Sequence, residues 1–207
     1  MCQYYSDILV PKDSKIWSVA ELKGKRVALN RGSNVHYELV KSLEKAGLKY
    51  SDVQVLLLPP AEARAAFESG SLDAWVIWDP FAQAAIGQIG ARVPETAEGI
   101  AQNYNFYLST GKYVKDAPGV LKSALQEIKA TDEWTKANFD AAAGILAPQI
   151  GLSKEIARAA LQNYAYGVQP LDDTAIKNQQ AIADTFAELK LIPKKLDVAS
   201  VVWQPEG

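Results

Sequence analysis

The sequence predicts an α/β protein in two unlike halves: a strand-and-helix half on a parallel sheet, then a half made mainly of helices. Three observations predict it. Strand-like runs at 26–30, 53–58, 73–78 and 91–94 alternate with helical runs at 35–46, 61–69 and 81–89. The connections between them are short, which implies parallel strands joined by right-handed crossovers. Beyond residue 118 the pattern reads as helices alone, over 118–130, 133–146, 154–164 and 174–189.

The elements follow in order. The first strand comes after the turn Lys23-Gly24-Lys25. In the helix after it, Val35, Leu39, Leu43 and Ala46 fall at helical spacing, and Gly47 ends the run. The apolar run 53–58 has the character of a strand buried on both faces, and Pro59-Pro60 closes it. A helix over 61–69 ends at Gly70. The strand 73–78 stops at Asp79-Pro80, where Asp caps a helix and Pro suits its first position. In the second half, 105–109 alternates like a strand. Pro148, Gly151, Pro170 and Pro193 punctuate the later helices, and Ser153 and Asp173 stand where caps belong. The halves meet near 99–102. No repeat or low-complexity segment interrupts the chain.

Composition narrows the function. The chain has 207 residues, enough for one large or two small domains, with 48% hydrophobic and 22% charged residues. No apolar run approaches the roughly 20 residues of a membrane helix. The formal charge is −2 without a basic stripe, which argues against a nucleic-acid partner. Cys2 is the one cysteine and His36 the one histidine, so an internal disulfide, a cysteine-rich zinc site and a multi-histidine metal site are excluded. No metal or cofactor is expected. Cys2 reads as a terminal thiol rather than a lipid anchor, and no export signal opens the chain.

Two places carry the candidate site. The strand 73–78 brings Trp75 or Trp78 to its carboxyl end beside Asp79, where open α/β sheets hold their ligands. An aromatic platform there suggests binding before chemistry. The loop Asn30-Arg31-Gly32-Ser33-Asn34 leads into a helix whose amides and dipole suit an oxyanion. Gly32 permits a tight turn and close approach. Helix capping by Ser33 or Asn34 is the simpler reading of these residues alone. The loop is neither a Walker A phosphate loop nor a dinucleotide fingerprint. His36, in the first helical turn, would donate to an anion and have its pKa raised by it; on residue type alone it is a packed or solvated histidine. Arg64 is a surface residue unless it reaches a ligand. Asp73 and Asp79 sit near opposite ends of one strand and make no acid/base pair. The run 103–107, with Asn105 and Tyr107, is a hinge candidate. Trp134, Tyr164, Tyr166 and Trp203 read as packing residues.

These residues resemble a known family. Glu21 to Ala28, then Arg31-Gly32-Ser33-Asn34-Val35-His36-Tyr37, look like the aliphatic sulfonate-binding proteins of bacterial ABC transporters. So do Leu58 to Phe67, Asp73-Ala74-Trp75-Val76-Ile77-Trp78-Asp79-Pro80-Phe81, and Asn103 to Leu108. The resemblance implies a type II periplasmic-binding-protein fold with an interlobe cleft. Here it implies a lead-in or hinge segment over 1–17, a complete α/β lobe over 18–102, and a helical return part of the other lobe over 103–207. The leading part of that other lobe is expected to be absent.

The resemblance also implies a function: a periplasmic, non-enzymatic solute-binding component that delivers an alkanesulfonate to an ABC transporter permease. Arg31, Gly32, Ser33, Asn34 and His36 would hold the sulfonate. Trp75 or Trp78 would flank the alkyl part, Asp79 would cap the helix or orient a donor at the site, and Asn105 and Tyr107 would line the cleft. A helical half without its sheet would expose apolar surface, so a homo-oligomer or domain swap and weak affinity are expected. The alternatives are an enzyme of the same fold, such as a desulfinase or thiamine-precursor synthase relative, and an effector-sensing domain. The first needs a cleft cysteine, or active-site histidines with a cysteine-rich motif, and Cys2 lies far from the motifs in sequence. The second lacks an attached DNA-binding or signalling segment.

Overall fold

The structure, a computed structural model, describes residues 6–203. Cys2 lies outside the described residues. Five strands form one sheet: β1 (Ser6–Val10), β2 (Arg26–Leu29), β3 (Gln54–Leu57), β4 (Ala74–Trp78) and β5 (Arg92–Thr96), in the spatial order β3-β2-β4-β1-β5. Helices α1 (Asn34–Lys45), α2 (Pro60–Glu68) and α3 (Phe81–Ile89) alternate with them as the hydrophobic pattern predicts. Then come α4 (Gly111–Asp116), α5 (Pro118–Ala137), α6 (Phe139–Ile150), α7 (Lys154–Gln162) and α8 (Asp173–Glu188).

Strand alternation divides the core. Ala74 and Val76 join Val27, Leu29, Ile8 and Val10 against Val35, Leu39 and Leu43 of α1. Trp75 and Ile77 face the other way, with Ala28 and Leu9, against Ala63 and Phe67 of α2 and Ala82 and Ala85 of α3. Successive side chains of a strand point to opposite faces, so a five-residue strand feeds both layers. At the start of β4, Asp73 accepts from the Arg26 backbone N–H at 2.8 Å and from its guanidinium at 3.0 and 3.1 Å. That fork fixes β4 against β2.

The structure corrects the sequence reading in several places. The sheet is mixed: β2 pairs in parallel with β3 and β4, but β1 lies antiparallel between β4 and β5. Residues 6–10, which the resemblance placed in a lead-in segment, form β1 in the interior of the sheet, and all five are buried. The run at 54–57 is the sheet's edge strand and is half-exposed, not covered on both faces. Residues 105–109 form no strand, because alternation without a neighbouring strand leaves the backbone unpaired. The helices expected at 118–130 and 133–146 are instead α5, continuous through Thr131 and Asp132, and α6, which carries Pro148 inside it. Ser153 caps α7 as expected, accepting from the Ile156 N–H at 3.3 Å, whereas α8 is capped by Asp172 instead of Asp173.

By contact the chain forms two compact units. One runs to Asn103 and takes in Ala143–Tyr164; the other is Tyr104–Ala142 with the residues from Ala165 on. The sequence division placed 143–164 with the later helices, but this segment packs with the sheet. Ile156 of α7 lies against Gly87 of α3, and Ala143, Ala147 and Ala157 form a small core of their own. In the second unit, Asp132 accepts from the Gly167 N–H at 3.0 Å and Phe139 packs on Tyr166 with ring centroids 5.8 Å apart. Burial first and Asp132 second push the Tyr166 hydroxyl up to about 12. Helix α5 contributes no buried residue, and Trp134 on it is exposed.

Candidate anion site at the carboxyl edge of the sheet

β2, β3 and β4 run parallel, so their carboxyl ends share one edge of the sheet. The loops at 30–33, 58–59 and 79–80 emerge there. Ser6 pairs with Trp78 and Asp7 with Thr96, so the start of β1 and the end of β5 lie at the same edge. Topology therefore brings Arg31, Gly32, Ser33, Asn34, Trp78 and Asp79 to one side of one unit. Asn105 and Tyr107 belong to the other unit, where both are exposed.

Helix α1 begins without a side-chain cap. Ser33 takes the cap position in extended geometry, but its hydroxyl donates to the Asn30 carbonyl at 2.7 Å instead of accepting from the helix. Gly32 has φ +68°, the left-handed turn that glycine adopts without a steric cost. Its N–H is committed to His36 Nδ1 at 3.1 Å. A helix end uncapped by a side chain leaves its first backbone amides to an anion, with the Ser33 hydroxyl and the Gly32 N–H bracing the loop beside it.

His36 departs from the expected role. It is fully buried and lies 2.7 Å from the Tyr50 hydroxyl through Nε2. Because Nδ1 accepts from Gly32, the ring proton sits on Nε2 and donates to Tyr50. Burial, then the Arg31 charge, lowers its pKa to about 4. His36 is thus a neutral core residue that braces the loop, and it brings no positive charge to an anion. Arg31 itself is exposed.

The aromatic platform narrows to one residue. Trp75 has no exposed surface and packs on Phe67 at 5.8 Å, so it is core. Trp78 is part-buried and meets Phe81 edge-on at 6.4 Å. Asp79 is buried as well. Its Oδ1 accepts from the Gln83 N–H at 3.1 Å, which serves α3 as expected, although the helix begins at Phe81 and Pro80 stands just before it. Its Oδ2 accepts from Asn163 Nδ2 at 2.7 Å, and its carbonyl accepts from the Tyr164 hydroxyl at 2.8 Å. Tyr164 therefore serves a strand end instead of being simple packing. Burial raises the Asp79 carboxyl to about 6. Replacing Asp79 with alanine strands the Asn163 amide and the Gln83 N–H, and is expected to cost about 2–4 kcal/mol. Urea unfolding measures it, and a change below about 1 kcal/mol would contradict this role.

The sequence reading assigned no role at this edge to Ser6, Asp7, Glu38 or Asn163. Asn34 Nδ2 donates to Asn103 Oδ1 at 3.2 Å, Asn103 Nδ2 donates to Ser6 Oγ at 2.9 Å, and Ser6 Oγ donates to Glu38 Oε2 at 2.6 Å. Glu38 is fully buried, and burial lifts its carboxyl to about 8. Asp7, in the same strand as Ser6, is raised to about 7 by burial and by Asp79. Glu38 was legible, since it falls on the apolar stripe of Val35, Leu39 and Leu43. Ser6 and Asn163 had no local signal, because each meets its partner only through the fold. Among the described residues no group of three metal-ligating side chains comes together, and no helix is long and apolar enough to cross a membrane.

Comparison with known proteins agrees with this architecture. The family described as NMT1/THI5 like matches residues 3–142. A protein of Escherichia coli K12 named a putative aliphatic sulfonates-binding protein is 37% identical over 199 residues. That match takes in 96% of this chain, which spans 62% of the relative's length. The crystal structure of the periplasmic aliphatic sulphonate binding protein SsuA from Escherichia coli superposes with a TM-score of 0.91 at 34% identity, over 99% of this chain and 70% of that one. The alkanesulfonate-binding protein of Xanthomonas axonopodis pv. citri, solved bound to MOPS, gives 0.90 at 36% identity over 97% and 70%. The chain belongs to the NMT1/THI5-like family and has the fold of these sulfonate-binding proteins.

Proposed function

We propose that this chain is the solute-binding component, or part of one, of an ABC importer for aliphatic sulfonates. Its similarity at 34–37% identity to proteins named for sulfonate binding carries the reading. Those relatives are named as binding proteins, and we read this chain as a binder and not an enzyme. Its place would be the periplasm, and its partner a transporter permease.

The chemistry at the sheet edge supports the reading. A sulfonate stays ionised and accepts several hydrogen bonds, so fixed donors suit it. The first amides of α1 and the remaining N–H of the Asn34 side-chain amide supply neutral donors where the helix dipole favours negative charge, while the Ser33 hydroxyl holds the loop through Asn30. Neutral His36 leaves the site dependent on these donors. Trp78 offers an apolar surface to the alkyl part. Asn105 and Tyr107 are proposed as ligand-lining residues of the second unit.

Isothermal titration tests the proposal. Propanesulfonate and MOPS are expected to bind with a dissociation constant of roughly micromolar to millimolar, and propionate not to bind. Asn34→Ala is expected to weaken the sulfonates by about tenfold, near 1.4 kcal/mol. Absence of heat with every sulfonate, or equal binding of propionate, would overturn the reading.

A further inference from the structure

We infer that Glu38, acting through Ser6 and Asn103, is a positioning residue that sets the direction of the Asn34 amide at the start of α1. The inference rests on the sulfonate reading of that helix end for its consequence, and on the hydrogen-bond chain for its substance.

The direction of each bond makes the chain a relay. Every donor points one way, from Asn34 to Asn103, from Asn103 to Ser6 and from Ser6 to Glu38. An amide accepting through its oxygen and donating through its nitrogen has one orientation left to it. Asn103 is therefore held by both ends, and with it Asn34. The relay ends at Glu38, whose Oε2 accepts the Ser6 hydroxyl while its Oε1 is buried without a partner. Asn34, Glu38 and Ser42 follow one another at four-residue spacing, so Glu38 lies one turn below the site it orders.

Glu38 performs this role as a neutral acid. Its Oε1 is buried without a partner, which a charged oxygen tolerates far less than a neutral one. The charged groups that act on it oppose ionisation too: Asp7 from β1 and Glu95 from β5, the latter engaged with Lys45 at 2.9 Å. With the proton on Oε1, Oε2 is a carbonyl-type acceptor for the Ser6 hydroxyl. When the carboxyl ionises, the buried charge must draw in water or new donors. The Ser6 hydroxyl then donates to a carboxylate and binds it more strongly than the neutral acid, so the pull passed to Asn103 and Asn34 changes with the charge of Glu38.

Two measurements on the full 207-residue chain test this. In the first, the side-chain amide signals of Asn34 and Asn103 are followed by NMR as pH rises, with no ligand present. Both are expected to move with a shared midpoint near pH 8, where Glu38 ionises, and to stay fixed in Glu38→Gln. Flat signals in the wild type, or an unchanged titration in Glu38→Gln, would overturn the inference. In the second, propanesulfonate binding is compared at pH 7. Glu38→Gln, which keeps a neutral acceptor, is expected to stay within about threefold of wild type, and Ser6→Ala to lose about tenfold. In an Asn34→Ala background, Ser6→Ala is expected to cost nothing further, because coupled residues are not additive. Additive losses would mean that Ser6 acts only on folding and would overturn the inference. If the unaltered chain binds no sulfonate, the functional reading fails while the amide titration still decides the relay.

Discussion

Replacing Trp75 with alanine is expected to destabilise the sheet-containing unit by about 3–5 kcal/mol, the range for a large aromatic removed from a core. Trp75, the second residue of β4, has none of its surface exposed and packs among Phe67, Leu72, Ala63 and Ala85. Alanine leaves a cavity between sheet and helices that a five-stranded sheet cannot close by collapse. Trp75→Phe is expected to cost roughly half as much or less. It keeps most of the packing and removes an indole N–H that is buried without a partner, an unmade bond worth about 1–3 kcal/mol. Urea unfolding of the two variants checks the order. A Trp75→Ala protein with near wild-type stability and weakened sulfonate binding would show that Trp75 serves the ligand after all.

Stability is expected to fall as pH rises from 6.5 to 8, by a few kcal/mol. The cause is the raised carboxyl pKa values. Glu38 and Asp7 titrate at about 8 and about 7 in the folded chain, against ordinary values of 4.5 and 3.8. Between those limits the unfolded chain has released protons that the folded chain still holds. Folding is then opposed more strongly with each step up in pH, and the penalty is complete only above the folded pKa. A tenfold change in acidity between the unfolded and folded chain is worth about 1.4 kcal/mol, so Glu38 alone contributes on the order of 4 kcal/mol by pH 8.

His36 has the opposite sign. Its folded pKa of about 4 lies below the ordinary 6.5, so it adds stability as pH rises through that window. Below pH 6.5 it partly offsets Asp7, Asp79 and Glu38, and above it only the carboxyl groups still act. Glu38→Gln isolates one of them. Its stability relative to wild type is expected to improve steadily between pH 5 and 8. A difference that stays flat across that range would show that Glu38 has an ordinary pKa.

How much of this was legible depended on whether the signal was local. Val35, Leu39 and Leu43 predict α1 and the face it buries, because helical spacing and burial are one pattern. Gly32 predicts its left-handed turn because glycine takes a positive φ without steric cost, whereas Asp79 bonds the first turn of α3 from one residue before the cap position, which Pro80 holds. Trp75 and Trp78 read alike in the sequence as residues of one strand end. Only the sheet separates them, turning the first toward α2 and α3 and leaving the second at the edge. His36 reads as a packed or solvated histidine by residue type and as an anion donor by position, and its burial and the Gly32 bond make it a neutral core residue.

By itself the sequence determined the α/β class, the order of strands and helices from β2 to α3, the loop before α1, and the resemblance to sulfonate-binding proteins. Those rest on spacing, turn residues and motifs a few residues long. Only the tertiary structure decided that β1 enters the sheet antiparallel, that α7 returns to hold Asp79 through Asn163, and that Ser6 and Asn103 join Glu38 to Asn34. Each of those facts depends on pairing between residues 32 to 97 positions apart. Burial, which raises a carboxyl or neutralises a histidine, belongs to the packed surroundings and not to the residue.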